Sequence, residues 1–370
     1  MNDATLCIAH IDAERGFSGG EVQVFLLIDG LARRGHHNLL LCPPGSAATA
    51  EAGRRGVATA EVPMRGDLDA LAVARLAAAL RRQPLDVVHL HTGRAAWLGG
   101  LAARAAGVPA IVTRRMDRPL RRGWRSRLIY QHCSRRTAAI APAIVAQLIE
   151  AGVPRQRIVL IPSAVDPARL VPRQPRAAVR AAGGVTDAEV IVFVAAALVR
   201  RKGIDVLLDA LAGLRARGAR PRLWVAGDGP ERQALAAQAR ALALDDQVTW
   251  LGRRDDVADL LAASDIFALP SRAEGLGVAA LEAMGAGLPV VASAVGGLAD
   301  AVVDERCGLL VAPGDAVALG AALERLLHEP ELRARLGAAG PARLADGFLP
   351  EQMVAAYERL YREVLAAGAA

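Results

Sequence analysis

Apolar positions along the chain fall into two spacings that take turns. Short runs in which every residue, or every second one, is apolar predict strands; longer stretches with apolar residues three and four apart predict helices. In the first half, strand-like runs lie at Leu6–Ile11, Asn38–Cys42, Asp86–His91, Ala110–Thr113, Thr137–Ala141 and Ile158–Ile161. Helical spacing covers Glu21–Arg34, Ala70–Arg82 and Pro142–Gly152. The second half repeats the alternation, with strands at Val190–Val199, Arg222–Ala226, Gln247–Leu251, Ile266–Pro270, Val290–Ala292 and Cys307–Val311. Its helices fall at Ile204–Arg217, Val257–Ala263, Val278–Ala286, 316–328 and 331–345, and an amphipathic tail follows at Pro350–Ala366. Strand and helix in regular alternation predict an α/β fold with parallel sheets. The unbroken apolar run Val190–Val199 suits a strand buried on both faces.

A proline-rich stretch without periodicity, Val153–Pro175, separates the halves and places a domain boundary near Ala168. The expected organisation is one domain over 1–168, a second over 169–350 and a terminal helix over 351–370. A length of 370 residues suits two domains, each burying its own core. With 53% apolar and 22% charged residues the chain is globular rather than disordered. No apolar run reaches the roughly 18 residues of a membrane span, and the N-terminus lacks the basic-then-apolar order of a secretory signal. Cys7, Cys42, Cys133 and Cys307 are scattered without a C-x-x-C pair, which argues against a disulfide framework or zinc site. These features point to a cytoplasmic location.

The net charge of +7 is unevenly laid out. Through Asp166 there are 22 arginines against 13 acidic residues, so the surplus lies wholly in the first half. It is densest in Arg114–Arg127, where seven of fourteen residues are arginine. Such a cluster attracts anionic lipid headgroups or phosphorylated glycans, and Leu120 and Trp124 add interfacial contact; a solvated loop in an arginine-favouring sequence is the plainer reading. Nucleic acid is a poor fit, because aromatic residues are only 3% of the chain and no stacking motif is present.

Candidate chemistry concentrates where strands give way to glycine-punctuated turns. Asp12–Gly20 leads from a strand through Gly19 and Gly20 into a helix, the arrangement by which backbone amides approach a diphosphate. Asp12, Glu14 and Glu21 lie near that loop, either as contacts to a substrate hydroxyl or as solvated turn residues. His89 and His91 share one strand face at its carboxyl end, where open α/β sheets bind ligands. No third metal ligand is evident beside them. Lys202 is the only lysine against 44 arginines, which singles out a compact ammonium after the first strand of the second half. Glu282 is the one charged residue on the apolar helix 278–286; it is paired with an arginine or hydrogen-bonded by the diol of a ribose.

Glu274, seven residues and then Glu282, followed by Ala283-Met284 and Gly287-Leu288-Pro289-Val290-Val291, resemble the signature of the family 4 retaining glycosyltransferases. The resemblance implies a GT-B fold, two Rossmann-like α/β/α domains with parallel sheets facing across a cleft. It implies a metal-independent enzyme without a cofactor. A sugar passes from a nucleotide-sugar donor, a UDP-sugar, to a cell-surface glycan or lipid-linked acceptor such as lipopolysaccharide core. Glu274 then holds the sugar ring, Glu282 the ribose diol, and Lys202 with Arg201 the diphosphate; Arg201, or Arg200, stands in for an arginine that many relatives carry where this chain has Ala197. Gly19, Gly20, Leu276, Gly277 and the Arg253 loop complete the donor side. Glu14, His91 and Arg115 lie on the acceptor or sugar side, Arg115 where many relatives have a histidine. Gly227-Asp228-Gly229-Pro230 matches a further family turn, with Asp228 serving turn chemistry. The tail helix crosses back onto the first domain, and the basic segment Arg114–Arg127 contacts the inner membrane peripherally. A nucleotide-sugar epimerase, a silent donor-binding protein of the same fold, or a phosphorylase using Lys202 for pyridoxal phosphate are the alternatives.

Overall fold

The computed structural model describes residues 4–116, 120 and 122–369. It divides into two compact units, one formed by residues 1–164 with 350–370 and the other by the contiguous span 165–349. Residues 117–119 and 121 of the basic segment lie outside the described residues.

The first unit is built on a seven-stranded parallel sheet. Its strands are β1 Cys7–Ile11, β2 His37–Cys42, β3 Ala58–Glu61, β4 Val87–Leu90, β5 Ala110–Arg114, β6 Arg136–Ala139 and β7 Ile158–Leu160. Their order is β3-β2-β1-β4-β5-β6-β7. The chain starts in the middle, works outward to β3, then jumps back across β1 to lay down β4. Strand β3 was not expected from the pattern, because ATAE has no apolar run; it is an edge strand paired on β2 alone. The final helix, Pro350–Ala369, belongs to this unit. Met353, Val354, Tyr357, Leu360, Tyr361 and Val364 lie on one stripe of it and are buried among Leu6, Ile8, Leu27, Leu31 and Val87. That seat depends on Gly30: a methyl group there would lie 2.3 Å from Val354.

The second unit has six parallel strands. They are β8 Ile191–Ala195, β9 Arg222–Ala226, β10 Val248–Gly252, β11 Ile266–Leu269, β12 Val290–Ser293 and β13 Gly308–Val311, ordered β10-β9-β8-β11-β12-β13. Again the central strand comes first and the reversal falls between β8 and β11. The expected strand Val190–Val199 stops at Ala195. From there the chain leaves the ladder: Leu198 donates its N–H to Asp228 O (2.9 Å) and Val199 turns back to Ala197 O (2.9 Å). The apolar run therefore covers a strand and the loop after it. Only Leu198 of that loop is as inaccessible as the strand itself; Ala197 is exposed.

Candidate active site

In an open parallel sheet the strand order reverses at one point, and the two loops leaving the strands there diverge to open a crevice at their carboxyl ends. In the second unit those loops follow β8 and β11. The first carries a 3₁₀ turn, Arg200–Lys202, and the second holds Ser271–Gly277. Lys202 and Glu274 meet there: the ammonium Nζ is paired with Glu274 Oε2, which also accepts from Ser271 Oγ at 3.1 Å. Both partners are largely screened from solvent.

The two loops are locked together beneath this pair. Gly203 takes φ = +67°, and a side chain there would place Cβ 1.9 Å from Pro270 O, so only glycine permits the approach. Arg272 donates its N–H to Arg201 O at 2.7 Å. Its guanidinium grips Asp205 through two parallel bonds of 2.6 Å, which hold that carboxyl below the usual carboxylate range. The brace between Arg272 and Asp205 was not anticipated. Arg201 itself is exposed.

Leu276 is buried, and Gly277, at φ = +79°, precedes the helix Val278–Gly285. The free N–H groups of that first turn face the loop end rather than the core. Glu282 sits on the same helix, half-buried. Burial raises its carboxyl above the ordinary value, opposed by the charge of Arg169. It forms no ion pair within 4 Å among the described residues, so the expected arginine acts through space. Arg253 is exposed on the loop after β10, and Asp228 caps its own turn by accepting from Gly229 N–H at 2.8 Å.

The first unit has the corresponding loops after β1 and β4. Asp12 and Glu21, expected as solvated turn residues if they made no substrate contact, are buried instead, 1% and 3% exposed. Glu21 belongs to a capping box: its Oε2 accepts from Ser18 N–H at 2.5 Å while Ser18 Oγ accepts from Gly20 N–H at 3.2 Å. The helix accordingly starts at Gly19, and the Gly20 amide is engaged by the cap. Asp12 accepts from Glu14 N–H at 2.9 Å through Oδ1, while its Oδ2 is buried without a partner. Burial pushes this carboxyl up to about 7. Glu14 is exposed.

His91 is not alone with His89. Register pairs His10 on β1 with His89 on β4, and the imidazole of His10 completes a buried cluster of three. A third imidazole, not evident from the segment Asp86–His91, thus stands beside the other two. The ring nitrogens are nonetheless engaged within the protein. Arg115 Nη1 donates to His91 Nδ1 (3.3 Å) and to His91 O (3.2 Å). With Nδ1 accepting, neutral His91 carries its proton on Nε2 and donates to His10 Nδ1 at 3.0 Å. His10 then donates from Nε2 to Asn38 Oδ1 at 3.0 Å. His89 bonds Tyr361 OH (2.8 Å) and Thr113 Oγ1 (2.6 Å), and Thr113 bonds Tyr357 OH (2.8 Å). Burial lowers His10 to about 4, and drives His89 and His91 well below the ordinary value. The signal for His10 was present in the sequence: a polar residue inside CIAHI needs a partner in the sheet. The partner's identity depended on strand order.

The family model described as Glycosyltransferase Family 4 matches residues 17–169, and that described as Glycosyl transferases group 1 matches residues 176–343. The 2-deoxystreptamine glucosyltransferase of Streptomyces kanamyceticus is 31% identical over 300 residues, covering 72% of this chain and 75% of that protein. The chain belongs to the group 1, family 4 glycosyltransferases. A lipopolysaccharide core biosynthesis glycosyltransferase, LpsD of Rhizobium meliloti, is 36% identical over 163 residues, 44% of this chain and 46% of that protein, so this match spans about half the relative's length. Among solved structures, Anabaena Alr3699/HepE in complex with UDP and glucose matches with a TM-score of 0.86 over 97% of this chain and 100% of that one, at 21% identity. That likeness establishes the GT-B fold, two Rossmann-like α/β units.

Proposed function

We propose that this member of the family is a retaining glycosyltransferase that moves a sugar from a nucleoside diphosphate to a cell-surface glycan or lipid-linked acceptor, without a resident metal. The observation that carries the reading is the Lys202–Glu274 pair at the strand reversal of the second unit. A leaving diphosphate gathers negative charge on its bridging oxygen, and preorganised cations and amides stabilise that charge best in a site shielded from water. Lys202 supplies a point charge, Arg201 a second cation, and the amides after Gly277 a dipole end. When phosphates arrive, Lys202 exchanges its carboxylate partner for them, and Glu274 is released to accept hydrogen bonds from the sugar. Glu282, raised by burial and without a close cation, gains a ribose diol as the donor its carboxyl lacks. Within the first unit, the Gly19 amide precedes a helix in the manner of an anion-binding loop, and Arg115, anchored on His91, offers a guanidinium to an acceptor or sugar.

Two exposed apolar side chains support contact of the first unit with a membrane surface, Leu68 at 94% exposure and Trp124 at 70%. They are tied together through Trp97, whose ring meets Trp124 edge-on and whose Nε1 donates to Asp67 O, with Arg125 over its face. Among the described residues no helix is long and apolar enough to cross a membrane.

A thermal-shift screen with UDP-, GDP-, ADP- and TDP-sugars tests the donor reading. UDP-sugars come first because the fold relative was captured with UDP and glucose. A stabilising shift that disappears in Glu282→Ala and Lys202→Ala is expected, with UDP released only when acceptor is added and turnover unaffected by chelators. Indifference to every sugar nucleotide, or a requirement for magnesium or manganese, would falsify it.

A further inference from the structure

The opposite edge of the first unit's sheet carries a second concavity, of about 630 Å³, at the amino-terminal ends of β5 and β6. Strand β5 spans five residues, so roughly 15 Å of sheet separates this edge from Arg115. The terminal helix closes one side through Val364 and Leu365, and Arg104, Arg135 and Arg157 line the rest. Two of these arginines are aimed by a single turn: Arg104 Nη1 donates to His132 O at 3.2 Å and Arg157 Nη1 to Gln131 O at 2.5 Å. Successive carbonyls thus hold two guanidiniums side by side, with most of their N–H groups unspent.

The charge of this group is uncompensated. Among the described residues none of Arg104, Arg135 and Arg157 pairs with a carboxylate, whereas in the second unit Arg180, Arg215, Arg217 and Arg325 each do. Like charges gathered around one concavity repel, and an anion seated between them removes the repulsion. Planar guanidinium forks match the oxygens of phosphate two at a time. The apolar wall from Val364 and Leu365 accommodates an uncharged part of the same ligand.

We propose that this concavity binds the phosphate group of an anionic ligand, at a site separate from the donor site around Lys202. The phosphate belongs either to a dissolved phosphorylated compound or to a phospholipid headgroup, and the two sources are separable by experiment. Pyrophosphate is titrated calorimetrically into the 370-residue chain carrying Lys202→Ala, which removes the donor-side lysine. In parallel, the chain is sedimented with phosphatidylcholine vesicles containing phosphatidylglycerol. The site predicts binding in at least one arm, weakened tenfold or more by Arg104→Gln with Arg157→Gln and further by added salt. Arg135→Gln is a second variant that leaves the anchoring turn untouched, because this guanidinium makes no hydrogen bond among the described residues; it is expected to weaken binding severalfold with an unchanged melting curve. Loss confined to the vesicle arm assigns the phosphate to lipid, and loss in the pyrophosphate arm assigns it to a dissolved compound. Equal binding by parent and all arginine variants, or no binding in either arm, overturns the proposal.

Discussion

The two units share a strand-order reversal but treat it in opposite ways. At the reversal of the second unit the chain places a charged pair, Lys202 and Glu274, and braces it with a fork from Arg272 to Asp205. At that of the first it places groups whose charged forms burial disfavours: Asp12 raised to about 7, His10 lowered to about 4, and two further histidines lowered with it. One site holds an ion pair screened from solvent. The other holds hydrogen-bonding groups in fixed tautomers, with Arg115 as the cation at their edge. The units differ in a second way, since the second is contiguous and the first is completed by the last helix of the chain.

The largest effect follows from that second difference. A chain ending at Leu349 loses six buried side chains from the core of the first unit, each worth about 1.5–3 kcal/mol, for a total on the order of 10 kcal/mol. Limited proteolysis is expected to digest residues 1–164 of this truncated form while the second unit resists. Equal resistance of both would break the contrast. Next in size, Lys202→Ala should lower kcat/KM by about 10²–10³-fold, the usual cost of removing a preorganised electrostatic contact, with the urea midpoint lowered as well because Glu274 loses its screened partner. A loss of less than about tenfold would remove the second unit's charge from the chemistry.

The histidines give an acid limb. His10 titrates near 4 in the folded chain and near 6.5 in the unfolded one, so the unfolded chain binds more protons between those values. Stability is therefore full above about pH 6.5 and falls as pH drops toward 4, by on the order of 3 kcal/mol for His10 alone. Urea titrations at pH 7 and pH 5 read this in an Asp12→Asn background, where the opposing titration of Asp12 is absent. Asp12 has the reverse sign. Its folded value of about 7 lies above the ordinary 3.8, so stability is lost as pH rises through that window and is flat above it. Asp12→Asn cannot ionise and should be more stable than the parent at pH 8 by about 2 kcal/mol, part of the gain being offset by a buried amide without a partner, with little difference at pH 4. A gain independent of pH would mean that the parent carboxyl is not neutral.

Much of this was legible in the sequence. Alternating apolar spacings gave the α/β class, and Glu274, Glu282 and Lys202 stood out by type and setting. The loop brace did not, because Arg272 and Asp205 lie 67 residues apart and carry no local signature. His10 escaped for a related reason: its partner is decided by β1 lying next to β4, a property of strand order rather than of either segment. The apolar run Val190–Val199 outlasts its strand because small and apolar residues continue into a loop of which only Leu198 is buried, a difference composition does not carry. Glu21 is buried because Ser18-x-x-Glu21 spells a capping box, a local signal that the sequence carries in full.

The return of Pro350–Ala369 to the first unit also orders events on the ribosome. Residues 1–164 emerge first, yet they carry an open apolar face until the final helix has been synthesised. The span 165–349 has every strand it needs before that moment and is free to close while its predecessor waits. Of the two units, the one whose synthesis begins first is thus the second to become complete, and its maturation waits on the helix Pro350–Ala369.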